Sequence, residues 1–442
     1  MHQFIKNLSL ACLALCLVTM GVYAQVPAPG EPQEQPIILL GATAHLGNGE
    51  VIENAAIAFD NGKLTMVGEA SEAESMDLSA YQQVDLQGKH VYPGLILPNT
   101  DLGLKEIGAV RATVDNEEEG GLNPNVRSII SYNTDSELIP TFRFNGIVAA
   151  QIVPKSGMIP GTSSIVQLDA WNWEDAAMLT DDAVHLNWPG RYAMRFDYET
   201  YTVNRVPNEK YAEQIQTLKD LFADAQAYQP LEGNREPNLK LAAMLGLMDG
   251  RQALHLHAEE AREIVESIKF LKSQGVERIV LVGGYEAHLV SDFLKENEIP
   301  IIVDNVHRLP ERPEEDVDQP YKLPAQLHQE GLLVGLCYDI GMNSRARNLP
   351  FLAGTAAAYG ISKEEALMMI TLNNAKILGI EDRLGSLEKD KDATLFVSSG
   401  DALDMRGNLV EHVFISGREV TLDAMQQRLY EKYKEKYTAG EK

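Results

Sequence analysis

The sequence predicts an α/β protein in which a central run of alternating strands and helices is flanked at each end by a small β module. Between about Val91 and Tyr359, apolar runs such as "GIVAAQIVP", "QALHLH", "RIVLVGG", "IPIIVDN" and "GLLVGLCYD" read as buried strands. They alternate with amphipathic helical patterns such as "EEAREIVESIKFLKSQG" and "EAHLVSDFLKEN", which end at Gly or Asn. That alternation points to a parallel sheet or barrel. Before this section, and again after the helical "KEEALMMITLNNAKILG", the chain falls into short strand-like runs separated by turn signals. The economical arrangement is one small sheet unit built from both chain ends, with the barrel between them.

Taken in order, residues 1–24 read as a signal peptide. His2 and Lys6 precede an apolar stretch from Leu8 to Val22, and Val22-Tyr23-Ala24 before Gln25 fits a small-residue cleavage site. The apolar stretch is short for a membrane span, and Ser9-Leu10-Ala11 before Cys12 is a weak lipobox. The expectation is a periplasmic or secreted protein with no membrane insertion after cleavage. Cleavage also removes Cys12 and Cys16, and Cys337 alone can form no internal disulfide. Residues 25–36, "QVPAPGEPQEQP", form an extended linker. Residues 37–90 hold strand-like runs at Ile37–Leu40, Ala55–Phe59 and Leu64–Val67, punctuated by Asn48-Gly49 and Asn61-Gly62. Residues 91–384 are the barrel section. Residues 385–421 return to strands in "GSLEKDKDATLFVSS" and "LVEHVFISGREV", and 422–442 hold a charge-dense helix, Asp423 to Lys436, and a tail.

The 442 residues are 45% hydrophobic, enough for a large core. The formal charge of −26 becomes −27 when Lys6 leaves with the leader, and no long basic run offsets it. Nucleic acid and anionic membrane surfaces are therefore excluded as partners, and a small-molecule ligand is expected.

The chemistry concentrates first in "VYPGLILPNTD", Val91 to Asp101. An apolar run delivers Asn99 and Asp101 two residues apart, on one side of a strand, so that they converge on one object. Two histidines at that spacing would clamp a metal; an Asn and an Asp offer only oxygens.

Three segments carry a family resemblance: "GKHVYPGLI", "NLPFLAGTAAAYGISKEEALMMITLNNAKILGI" and "DRLGSLEKDKDATLFV". In that order and spacing they resemble the amidohydrolase superfamily, in its imidazolonepropionase-like and prolidase-like branch. The resemblance runs from Ile37 to Val420 and is weakest between Lys105 and Arg251. It implies a distorted (β/α)8 TIM-type barrel with a small composite β-sandwich built from both chain ends. It also implies a divalent cation at the carboxyl ends of the barrel strands, which lowers the pKa of a bound water and polarises the substrate, with a last-strand Asp taking the proton. Carried over position by position, the first-strand His-x-His falls on Asn99 and Asp101, and the Asp before that pair on Leu97. The fifth-strand His is retained as His255 and the last-strand Asp as Asp339. The sixth-strand His falls near Gly283 or Gly284 and is missing, and no counterpart of the bridging lysine of some members is found.

What remains is an altered site of Asp101, His255, Asp339 and Asn99, with Asp339 as the catalytic group. Zinc, manganese or magnesium are the ions considered; oxygen donors favour the harder ones, and the loss of three histidines disfavours zinc. His257 shares a strand face with His255 and is assigned to substrate binding. Arg127 and Arg143, in the polar stretch from Asp115 to Gly146, are assigned to a substrate carboxylate. Each has a plainer reading: the histidines hydrogen-bond in a polar interior, Asp339 caps the following loop or pairs with Arg345 or Arg347, and the arginines make ordinary loop contacts. His288 belongs to the helix after the sixth strand and His307 lies beyond the seventh.

Three functions follow. One is a hydrolase of carbon–nitrogen bonds, cyclic or dipeptide-like amides, with an atypical metal site. Another is an inactive barrel that binds a ligand, forms homo-oligomers or partners a paralogous amidohydrolase. The third is a metal-independent enzyme on the same fold.

Overall fold

The structure, a computed structural model, describes residues 28–228, 237–310, 312, 314–339 and 343–438. The leader expected at 1–24 and the first part of the expected linker lie outside the described residues. No helix among the described residues is long and apolar enough to cross a membrane.

The chain opens with β1 (Ile37–His45), β2 (Val51–Asp60), β3 (Lys63–Glu69), β4 (Gln82–Asp85) and β5 (His90–Pro93). Next come β6 (Leu95–Thr100), β7 (Ile147–Ile152), β8 (Ser164–Gln167), β9 (Ala177–Leu179) and β10 (Ala183–Asn187), followed by a hairpin of β11 (Tyr192–Asp197) and β12 (Thr202–Pro207). β13 (Ala253–Ala258), β14 (Ile279–Gly283), β15 (Ile301–Asp304) and β16 (Val334–Cys337) alternate with the helices Ala261–Ser273, Ser291–Glu296 and Gln319–Gln329. β17 (Leu395–Ser398), β18 (Val410–Ile415) and β19 (Arg418–Glu419) precede a last helix, Met425–Thr438.

Both chain ends share one sheet, in the order β19-β18-β17-β5-β1-β2-β3, with β4 also on β1. The β2–β3 turn is Asn61-Gly62, both at positive φ (49° and 78°), which matches the right-handed twist of a tight hairpin. β17 joins β5 antiparallel, Phe396 opposite Tyr92, and so locks residues more than 300 positions apart into one ladder. Alternate residues of β1 and β2 go to different cores. Leu39, Ile57 and Phe59 pack with Phe414 on one face, while Ile38, Ala56 and Ala58 pack around Ala73 on the other.

The central section is α/β and barrel-like. β10, β13, β14, β15 and β16 form a five-stranded sheet whose pairs are all parallel. β13 shows why the sequence folds this way. Leu254 and Leu256 join the main core, which also holds Ile264, Ile268 and Leu271 of the following helix, while His255 and His257 alternate to the other face.

A second sheet, β6-β7-β8-β9, lies beside the first. It departs from the parallel order expected of strict strand-helix alternation: β7 pairs β6 in parallel, but β8 runs antiparallel to β7. The link from Ile152 to Ser164 carries no helix, and a parallel return needs a crossover of a dozen residues or more.

The two sheets meet at two seams. At one, Ser163 N–H donates to Ala183 O and His185 N–H to Gly161 O. At the other, the buried side chain of Asn374 donates to both Ile96 O of β6 and Leu336 O of β16, at 2.9 and 3.0 Å. A Cβ at Gly335 would stand 2.1 Å from Asn374 Oδ1, so only glycine lets the amide reach both strands.

Candidate functional site

The carboxyl ends of β6, β7 and β16 bring together residues far apart in sequence. Asn99 is on β6, Lys155 lies three residues past β7, and Asp339 two residues past β16. The Lys155 ammonium donates to Asp339 Oδ2 at 2.7 Å, to Asn99 Oδ1 at 3.0 Å and to Asn99 O at 3.2 Å. An ammonium has three N–H groups and no more, so these three oxygens complete its shell. Asn99 has φ 53°, the left-handed region that Asn enters more readily than most side chains. In that conformation its backbone and side-chain oxygens both meet the same donor.

A framework of buried amides and carboxyls holds these groups. Asn99 N–H donates to Gln151 Oε1, and Gln151 Nε2 donates to Asp182 Oδ2 at 2.7 Å and to Ser163 Oγ at 3.2 Å. Asp339 N–H donates to Asp304 Oδ1 at 2.7 Å, and the Cys337 thiol approaches the same oxygen at 3.5 Å. Asp101, almost fully buried, accepts from Asn116 Nδ2 at 2.7 Å.

The electrostatics follow from burial and from the charges around it, Lys155 foremost, with Lys105 also acting on Asp101. Burial works against the charge on Lys155, but the charge and hydrogen bond of Asp339 and the charge of Asp101 outweigh it and hold the ammonium above the ordinary lysine value. Burial raises Asp101, with Asp339 adding to the rise and Lys155 opposing it. Asp304 is pushed up to about 7, by burial first and by the neighbouring Asp339 charge second. Burial likewise takes the Cys337 thiol well above its ordinary value.

Three histidines form a second cluster. His185 of β10 is the register partner of His255 of β13, and its Nδ1 lies 2.9 Å from His257 Nε2. The His185 ring centroid is 4.9 Å from that of His255 and 5.2 Å from that of His257. All three are held neutral. Burial pushes His255 down to about 3 with help from Arg278, burial and the Lys155 charge push His257 to about 3, and burial takes His185 well below the ordinary value. His185 Nε2 and His255 Nδ1 have no hydrogen-bond partner among the described residues.

This donor set does not fit a divalent cation. Asn99 Oδ1 and Asp339 Oδ2 are taken by Lys155, and His185 and His257 are turned onto each other. Among the described residues, no three His, Cys, Asp or Glu side chains converge as a metal shell. Gly283 and Gly284, near which the resemblance implies a sixth-strand histidine, carry no side chain of their own. Gly283, at the end of β14, has φ 91°, and the Glu259 carboxylate lies where its Cβ would be, with Oε1 2.2 Å from that point.

Of the residues singled out in the sequence, Asn99 and Asp339 meet through Lys155, and His255 and His257 belong to the histidine cluster. Asp101 enters through its charge on Lys155. Arg127 is elsewhere: it pairs with Asp181, which precedes β10 at its amino end, with Nε 2.8 Å from Oδ1. Arg143 is buried against Asp169 at 2.7 Å, and the other Asp169 oxygen takes Arg418 at 3.0 Å. Lys155, His185, Asp304 and Gln151 were not legible as site residues. "AVHLN" repeats the apolar-His-apolar alternation of "ALHLH", a signal that could have revealed His185. Nothing local in "VPKSG" sets Lys155 apart from a loop lysine.

This fold, with these segments at these positions, defines a class: the chain is similar to the amidohydrolase superfamily. The model of the amidohydrolase family matches residues 242–420. The chain is 24% identical over 381 residues to the imidazolonepropionase of Shewanella frigidimarina (strain NCIMB 400), covering 78% of this chain and 85% of that one. It is 24% identical over 390 residues to the imidazolonepropionase of Thermoplasma volcanium, covering 81% and 88%. Among solved structures, an amidohydrolase from Thermotoga maritima MSB8 superposes with a TM-score of 0.75 at 25% identity, over 87% of this chain and 99% of that one. By family the protein is an amidohydrolase-like hydrolase with a TIM-barrel-like fold and a second domain. Its relatives act on small molecules, and members of the superfamily usually use a divalent metal such as zinc.

Proposed function

We propose that the protein takes a small amide, cyclic or dipeptide-like, at the mouth of its barrel and hydrolyses the carbon–nitrogen bond with Asp339 as proton acceptor. The observation that carries this is Asp339 itself, a carboxylate at the carboxyl end of β16, fixed by its own N–H on Asp304 beside Asn99 and Lys155. Asp339 takes the proton of a water as its oxygen adds to the amide carbon; the C–N bond then breaks as Asp339 returns that proton to the leaving nitrogen, which restores the carboxylate. The charge on Lys155 stabilises the anionic addition intermediate through space, and the half-buried His257 offers the mouth a neutral imidazole. No step runs through a metal.

A second reading is a ligand-binding barrel without turnover, alone or as partner of a paralogous amidohydrolase. It is favoured by Lys155, whose three N–H groups are already spent and so cannot reach a substrate oxygen. A panel of cyclic amides, including imidazolone propionate, and of dipeptides separates the two. Turnover lost in Asp339→Asn supports hydrolysis, and saturable binding without turnover supports the second reading. Neither binding nor turnover across the panel overturns both.

Around this site we read a distorted (β/α)8 barrel over 91–384, with β8 reversed, and a composite β-sandwich over 37–90 and 385–421. The mature chain starts after residue 24 in the periplasm or outside the cell, alone or as a homo-oligomer. The amino-terminal residue of protein recovered from the periplasm, and its mass by light scattering, test these points.

A further inference from the structure

We infer that Lys155 is the resident cation of the barrel mouth, a tethered ammonium that fills the space between the first-strand and last-strand positions and makes this site independent of any dissociable metal. The inference rests on coordination. The ammonium has three hydrogens and finds three oxygens within 3.2 Å, two on Asn99 and one on Asp339. Those oxygens belong to the two positions, 99 and 339, that a divalent ion at this mouth would have to share. An ion brought to them would meet the ammonium at contact distance, and like charges at that range repel strongly where water is scarce.

The surroundings are built for the lysine. The left-handed backbone at Asn99 turns a main-chain oxygen and a side-chain oxygen onto one donor, an arrangement that two imidazoles at 99 and 101 could not supply. Gln151 fixes the Asn99 N–H from behind, and Asp304 fixes the Asp339 N–H. Asp101 is engaged by Asn116 rather than offered bare to the centre. A covalently held cation cannot be chelated, exchanged or lost on dilution, so the charge of this mouth is set by the chain.

The test is metal content and stability, neither of which depends on turnover. It therefore stands apart from the amide reading, and either can fail without the other. Elemental analysis is made on the untagged mature protein after soaking in zinc, manganese or magnesium and dialysis. Far less than one ion per chain is expected, with an unfolding midpoint unmoved by EDTA. Lys155→Ala should lower that midpoint by several degrees, and methylammonium should restore it where tetramethylammonium, too bulky and without N–H groups, does not. Near-stoichiometric metal in the wild type that is lost in Asp339→Asn overturns the inference, as does a Lys155→Ala midpoint equal to wild type. If Lys155→Ala does not fold, the charge-balanced Lys155→Met/Asp339→Asn pair takes its place. Folding of the pair supports the tethered cation, and failure of the pair while Asp339→Asn alone folds without metal assigns Lys155 a packing role instead.

Discussion

Replacing Lys155 by Met keeps the length and most of the volume of the side chain and deletes the ammonium with its three hydrogen bonds to Asp339 and Asn99. Breaking one partner out of a fully buried ion pair costs about 3–5 kcal/mol, whereas an exposed pair is worth about 0–1 kcal/mol. Here 20% of the Lys155 side chain and 25% of the Asp339 side chain are open to solvent. Water can therefore reach the Asp339 carboxylate in part, and the expected loss is about 2–3 kcal/mol, between those limits. Asp339→Asn alone should cost less, because the amide oxygen still accepts from Lys155. The double variant Lys155→Met/Asp339→Asn should recover part of the loss, with a coupling of about 1–2 kcal/mol, since neither charge is then left alone. Urea unfolding followed by the fluorescence of Trp171, Trp173 and Trp188 gives these differences when the slopes agree. A single-variant loss under about 0.5 kcal/mol together with zero coupling would refute the reasoning, because a surface-like pair would then be all that Lys155 makes.

Two further outcomes follow from the same physics. Asp182, with burial as the main cause, is pushed up to about 6 from 3.8. Its folded state therefore holds the proton after the unfolded chain has released it, and its contribution to stability falls as pH rises from about 4 to about 6, by about 3 kcal/mol at most. The difference between wild type and Asp182→Asn should change across that window. A pH-independent difference would show that Asp182 keeps an ordinary value. Comparison with wild type removes His255 and His257, whose values near 3 act in the opposite sense, losing stability as pH falls below 6.5. Asn374→Ala strands two buried carbonyls, Ile96 O and Leu336 O, and should cost about 2–4 kcal/mol. A loss below about 1 kcal/mol in the same urea experiment would mean that the amide does not close the seam.

Local order determined much of this protein. The alternation of "ALHLH", the spacing of Ile264, Ile268 and Leu271, and the Asn61-Gly62 turn are statements about neighbours in the chain, and strand, helix and hairpin follow from them. The segment around Asn373 and Asn374 was legible as a family motif, and its physical role became visible in the folded chain, where one amide binds two strands whose residues 96 and 336 are far apart in sequence. That Asn99, Asp101 and Gly283 or Gly284 stand where the resemblance implies histidines was likewise a matter of sequence alone.

What joins those positions was decided only by the fold. Lys155 sits in a loop with no periodicity, and nothing within several residues of it marks a cation site. It becomes one because β6, β7 and β16 end side by side, which puts residues 99, 155 and 339 within hydrogen-bonding distance. The same holds for Arg127 and Arg143, whose partners Asp181 and Asp169 are 54 and 26 residues away. A charge declares itself in sequence, but its partner is chosen by whichever strand ends the tertiary structure brings alongside, and burial then sets what that pairing is worth.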